Sequence, residues 1–132
     1  FMNVVDSSGW LEYFADGPNA NFFAPAIENV RELIIPSISL YEVFKRIHQQ
    51  RSEDEALKAV AIMQQGQVID LDMTLALSAA KTSTELKIPM ADSIILVTAR
   101  AYSAIVWTQD EDFEVIDGVR FIKKKITGGD VT

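Results

Sequence analysis

Ile88-Pro-Met-Ala-Asp-Ser-Ile-Ile-Leu-Val-Thr-Ala-Arg-Ala-Tyr-Ser-Ala-Ile-Val-Trp-Thr-Gln-Asp-Glu-Asp-Phe113 is the stretch around which the chain is organised. It predicts a helix from about Ala91 to Tyr102 that runs into a strand from about Ala104 to Thr108. Pro89 punctuates the start, and Ile94, Ile95, Thr98, Ala101 and Tyr102 follow the i, i+4, i+7 rhythm of a packed helical face. Ala104 to Trp107 is apolar throughout and partly β-branched, which suits a strand buried on both faces, as in a parallel sheet. Asp92 falls in the first helical turn and Asp110 just past the strand's carboxyl end. Ligands of open α/β sheets bind at that end of the strands.

Outward from this unit the same alternation recurs. Asn3 to Asp6 reads as a strand, followed by a helix from Ser7 and a second carrying Phe22, Phe23, Ile27 and Val30, with Pro25 starting or kinking it. Leu33 to Ile35 is the next strand, closed by Pro36. A helix from Ser39 to about Arg51 follows, with Glu42 in its first turn. Another begins at Ser52, with Leu57, Val60 and Ala61 inward and Gly66 as its stop. Val68-Ile69 is a third strand, Thr74 to about Lys87 a helix, and Val119 to Ile122 a last strand. Five strands with paired helices between the first four predict an α/β three-layer sandwich around a central, mainly parallel sheet. One domain is expected over residues 2–126, with 127–132 as a tail.

The chain has 132 residues, a net charge of −7, one histidine and no cysteine. That size supports one well-filled core. No apolar run approaches the ~18 residues of a membrane span, and no signal peptide is visible. Phe1 ahead of Met2 is read as an added residue before a natural start. Absence of cysteine excludes disulfides, thiolate metal sites and a cysteine nucleophile, and fits a reducing, cytoplasmic setting. A lone His48 makes a zinc site or a Ser-His-Asp triad hard to build. Net negative charge is the wrong sign for a nucleic-acid binder, unless some acids hold divalent cations that reverse it locally.

Each acid has a plain structural explanation. Asp6 suits the cap of the helix beginning at Ser7, and Ser39 with Glu42 has capping-box spacing. Asp92 sits where a helix dipole favours negative charge, and Asp110 and Asp112 suit a turn. Their positions say more. Asp6, Glu42 and Asp110 follow the carboxyl ends of three strands and Asp92 heads the helix into the fourth, so all converge on one sheet edge. Carboxylates sharing a cleft raise one another's pKa unless a cation neutralises them. An oxygen-only set suits Mg²⁺ or Mn²⁺, which can activate water and stabilise a leaving oxygen in phosphodiester cleavage. Glu53-Asp54-Glu55, equally acidic but following no strand, reads as a solvated first turn. Ser7 and Thr108 neighbour the acids and suit either supporting hydrogen bonds or simple caps.

Val4-Val-Asp-Ser7, Ser39-Leu-Tyr-Glu-Val-Phe-Lys45, Ala91-Asp-Ser-Ile94 and Thr108-Gln-Asp-Glu-Asp-Phe113, in this order and spacing, resemble the PIN-domain ribonucleases, and within them the VapC-type toxins of toxin–antitoxin pairs. The resemblance implies the sheet order 3-2-1-4-5 and a Mg²⁺- or Mn²⁺-dependent endoribonuclease. It implies Asp6, Glu42, Asp92 and Asp110 as the acidic quartet, with Asp112 as a further metal-binding acid. A homodimer and an inhibitory antitoxin are implied as well, beside the RNA substrate. Lys45, Arg46, His48 and Arg51, clustered on the helix that bears Glu42, are candidates for RNA or partner contact, as are Lys123 to Lys125. Trp10, Tyr13, Phe14, Phe22 and Phe23 read as core that leaves an apolar groove for a partner helix. Two rivals remain: a phosphoacceptor receiver built on Asp6, Asp70, Thr108 and Lys123, and a PIN fold without catalysis that serves as an interaction module.

Overall fold

The computed structural model describes residues 1–125; the expected boundary at 126 and the tail beyond it lie outside them. The strands are β1 (Met2–Val5), β2 (Leu33–Pro36), β3 (Gln67–Ile69), β4 (Ala104–Thr108) and β5 (Val119–Phe121). The helices are α1 (Ser7–Phe14), α2 (Ala20–Glu28), α3 (Ser37–Gln50), α4 (Glu53–Met63), α5 (Met73–Leu86) and α6 (Met90–Ala101). Every strand pairing is parallel, in the order β3-β2-β1-β4-β5. The expected α/β sandwich is therefore the observed one.

Alternation along the central strands builds the two outer layers. Val5, Leu33 and Ile35 point to one face and pack with Trp10, Phe23, Val43, Ala59 and Met63 from α1 to α4. Val4, Ile34 and Val106 point to the other, against Ile95, Leu96 and Ala99 of α6 and Phe113. Both faces of β1 and β2 are thus covered, and for that reason β2 reads as an unbroken apolar run, while β1 is interrupted only by Asn3, whose Oδ1 accepts from Trp107 Nε1.

Helix α6 departs from the single stripe expected of it. Residues Ser93 to Ala99 are all buried, whereas Ala101 and Tyr102 are exposed. One side of the helix meets the sheet while Ile94 and Val97 meet Ala79 of α5. Burial on both sides removes the amphipathic rhythm, and the last residues run past the core.

Helix α4 is also turned from its expected setting. Ala56, Ala59 and Met63 face inward, while Leu57 and Ala61 are exposed and Val60 is intermediate. Small side chains let α4 lie close on α3, so the alanines take the contact and the larger Leu57 is left outside. Ser52, read as the start of the helix, is instead its cap and accepts from the Glu55 amide, so α4 begins at Glu53.

The capping box on α3 is absent. The helix begins at Ser37 with Pro36 as its cap, which leaves Ser39 inside it, fully buried, with an unpartnered hydroxyl. Glu42 consequently lies in the second turn rather than the first. Val30 lies beyond α2, in a single 3₁₀ turn, and Pro25 is inside that helix.

Candidate metal centre

Asp6 follows β1 and caps α1. Its carboxylate accepts from the Gly9 amide at 3.0 Å, from Ser8 Oγ at 2.8 and 3.0 Å, and from Thr108 Oγ1 at 2.8 Å. Gly9 is required for this approach. A Cβ there would sit 2.6 Å from Phe23 Cε1 and 2.7 Å from Val5 Cγ1, both on fully buried side chains. Asp6 is 2% exposed. Burial pushes its pKa up to about 6, against the hydrogen bonds from Ser8, Thr108 and Gly9, and the Asp110 charge adds to the rise.

Thr108 ends β4 beside Asp6, and its hydroxyl oxygen also accepts from the Asp110 amide at 2.9 Å. Asp110 then caps a single 3₁₀ turn, Glu111–Phe113, by accepting from the Asp112 amide at 2.9 Å. Phe113, wholly buried, pins the end of that turn into the core. Asp92, in the first turn of α6, faces this loop. One carboxylate oxygen from each of Asp92, Asp110 and Asp112 lies within 4.8 Å of the other two. Burial, then the charges of Asp110 and Asp6, push the Asp92 pKa up to about 8. A hydrogen bond with Asp112 adds to this, and two carboxyls can share one only when one of them is protonated.

Glu42 is not in that trio. It is half-buried on α3, where its Oε1 accepts from Ser7 Oγ at 2.6 Å, so it joins the residue that follows Asp6. Ser7 therefore serves Glu42, and Ser8, which spacing alone did not single out, serves Asp6. Asp6 and Asp110 each cap a turn, as their structural reading expects, and the charge of each also acts on Asp92.

The basic residues of α3 do not form one cluster. Arg46 and Arg51 line a groove of about 580 Å³ with Leu11 and Phe14 of α1 and Lys58 and Ile62 of α4. Lys45 lies instead over the Tyr41 ring, 5.6 Å from its centre, and His48 stacks on Phe44. At about 100° per residue, positions 45 and 46 point to different flanks of one helix. The groove is also not where the aromatic residues implied: Trp10 and Phe23 are fully buried, and it opens between α1 and the α3–α4 pair. Lys124 reaches this groove too.

The receiver constellation is not assembled. Asp70 is exposed after the edge strand β3, separated from Asp6 by β2, and Thr108 is bonded to Asp6.

The PIN-domain family model matches residues 4–119. The chain belongs to the PIN-domain family. No curated protein matches it in sequence. Among solved structures, this PIN domain is similar to a toxin–antitoxin complex from Klebsiella pneumoniae, with a TM-score of 0.75 and 21% identity over 90% of this chain and 96% of that one. It is also similar to VapC20 of Mycobacterium tuberculosis, a sarcin–ricin loop cleaving toxin, with a TM-score of 0.73 and 17% identity over 89% and 97% of the two chains. VapBC2 from Rickettsia felis, bound to promoter DNA, superposes with a TM-score of 0.71 at 18% identity over 93% and 98%. These likenesses establish the fold, and the PIN family is one of nucleases.

Proposed function

We propose that this PIN domain is a metal-dependent endoribonuclease, the toxin of a toxin–antitoxin pair. The observation that carries the reading is the carboxylate trio of Asp92, Asp110 and Asp112, with Asp6 close enough to raise the Asp92 pKa. Among the described residues the ion pairs are those of the Phe1 amino group with Glu32 and of Lys58 with Glu55, so none neutralises the trio. An all-oxygen, uncompensated donor set fits a hard divalent cation, Mg²⁺ or Mn²⁺. Asp6, Asp92 and Asp110, with Glu42 and Asp112, are the residues proposed to hold it. A divalent ion there supplies the charge that activates water and stabilises the departing oxygen of a phosphodiester.

The chain's own part is orientation. Ser8, Gly9 and Thr108 fix the Asp6 carboxylate, the Asp110 cap fixes the loop, and Ser7 fixes Glu42. No side-chain nucleophile is required, in keeping with the absence of cysteine and with the exposed, Phe44-stacked His48. Lys45, Arg46 and Arg51 are exposed and available to RNA phosphates or to an acidic partner segment. The groove, lined by Leu11, Phe14 and Ile62 together with Arg46 and Arg51, suits an amphipathic antitoxin helix carrying acids. Toxin–antitoxin complexes among the structural neighbours support such a partner. Exposed Met73, Leu77 and Met90 on α5 and α6 suit a homodimer contact. No helix among the described residues is long and apolar enough to cross a membrane.

The test is cleavage of total cellular RNA by the purified protein. Cleavage should vanish in excess chelator, return with Mg²⁺ or Mn²⁺, and fall severely in a folded Asp92→Asn variant. RNA cut equally well in excess chelator would overturn the metal reading. A folded protein that binds neither ion and cuts no RNA would leave an interaction module.

A further inference from the structure

The ten residues between β4 and β5 contain no α-helix, yet they carry two of the three clustered carboxylates. Ionised together, those groups repel one another, which would push this loop away from Asp92. What opposes it on the Asp110 side is the Thr108 hydroxyl and the buried Phe113. A third restraint faces the other way. Gln109, between Thr108 and Asp110, is only 6% exposed and reaches the turn between α1 and α2.

The hydrogen bonds there fix one another's direction. Asn19 Nδ2 donates to the backbone oxygen of Lys123 at 3.1 Å, and a carbonyl can only accept. The same Nδ2 donates to Gln109 Oε1 at 2.9 Å. Gln109 Nε2 is thereby turned to Glu12, which accepts from it at 3.4 Å through Oε1. Glu12 Oε2 in turn accepts from the backbone N–H of Asn19 at 2.6 Å. The ring closes on Asn19, whose side chain is 1% exposed and whose Oδ1 has no partner. Leaving a buried carbonyl unpaired costs stability, so the network gives up some stability in retaining this geometry.

We propose that Gln109 is a positioning residue: braced by Asn19 and Glu12, it holds the loop bearing Asp110 and Asp112 at the spacing from Asp92 that a divalent cation requires. The inference rests on the metal-binding reading above. It assigns to Gln109 no contact with metal or RNA.

Residues that orient metal ligands typically alter affinity 10–100-fold when removed. Mn²⁺ binding by calorimetry is the primary readout, with thermal unfolding in chelator as a control for folding. Gln109→Met, similar in length and without hydrogen-bonding groups, should weaken Mn²⁺ binding by roughly 10–100-fold while remaining folded. Asn19→Ala should act in the same direction. The double variant should bind no worse than the weaker single one, because both changes break one restraint. A purely structural role would lower the unfolding temperature and leave the affinity of the folded protein unchanged. The proposal is overturned if folded Gln109→Met binds Mn²⁺ as the unaltered protein does, or if the two changes add. Should Gln109→Met not fold, Asn19→Ala decides by the same affinity criterion. Failure of the unaltered protein to bind Mn²⁺ would instead remove the metal reading itself, and this inference with it.

Discussion

The hydroxyl of Thr108 stands between two acids: it donates to Asp6 Oδ2 at 2.8 Å and accepts from the Asp110 amide at 2.9 Å. One side chain at the end of β4 therefore ties the carboxylate after β1 to the backbone of the loop that supplies Asp110. Parallel pairing in register, with Val5 opposite Trp107, brings the two strand ends level so that this bond can form.

Thr108→Val keeps the shape and removes both bonds. Thr108 is fully buried, so the Asp110 amide loses its partner and Asp6 loses a donor. Unpairing such groups costs about 1–3 kcal/mol, to be read as a lower urea midpoint in chelator. Thr108→Ser keeps the hydroxyl and should recover most of the loss. Equal stability of the Val and Ser variants would show that the hydroxyl contributes nothing.

Burial of Asp92 and Asp6, with repulsion from the neighbouring acids, sets a pH dependence for the metal-free protein. Folded Asp92 and Asp6 hold their protons to about 8 and about 6, above the ordinary value of 3.8. The folded state then binds more protons than the unfolded one between these limits, so the acids' contribution to stability falls as pH rises. It is greatest below the ordinary carboxylate range and is lost through pH 8. Asp92→Asn removes the titration and most of the penalty. In chelator the variant should be the more stable protein at pH 8, by on the order of 1 kcal/mol after solvent screening, and the gap should shrink toward pH 4. Excess Mn²⁺ should close or reverse it. Parallel stability curves from pH 4 to 8 would contradict the assignment.

Much of this was legible in the chain because strand ends announce themselves. Ala104 to Thr108 is a strand with the expected bounds, and Asp6 and Asp110 follow strands as read. Other features depend on contacts that local pattern does not carry. Leu57 looks like core and Ala56 does not, but close helix packing favours the smaller residue. Ser39 and Glu42 have capping-box spacing, yet the helix starts earlier, at Ser37. Ser7 and Ser8 are equal in sequence, and only the positions of α3 and β4 decide which acid each serves. Gln109 bonds Asn19 across ninety positions, a link no spacing rule reveals.

His48→Ala should leave RNA cleavage unchanged. The imidazole is exposed in the last turn of α3 and stacks on Phe44 with ring centres 5.7 Å apart, making no hydrogen bond to an acid of the site. Cleavage rates measured against pH for the two proteins should superimpose. Abolished cleavage in a folded His48→Ala protein would overturn a mechanism without side-chain nucleophile or histidine base.

The adjacent serines separate the roles of Glu42 and Asp6. Ser8→Ala removes a donor whose hydrogen bond lowers the Asp6 pKa, so the Asp6 titration should move further upward and metal-free stability at neutral pH should fall. Ser7→Ala touches none of the bonds to Asp6; it frees Glu42, which has its 2.6 Å bond to Ser7 in place of membership in the carboxylate trio. If Glu42 joins the others around a cation, its orientation by Ser7 is what brings it there. Ser7→Ala should then weaken Mn²⁺ binding and cleavage about tenfold or more, with little change in the unfolding temperature, because Glu42 is only half-buried. Glu42→Gln should do at least as much, and combining the two should add little. Undiminished Mn²⁺ affinity in both folded variants would exclude Glu42 from the metal centre and leave Asp6 with the trio as its ligands.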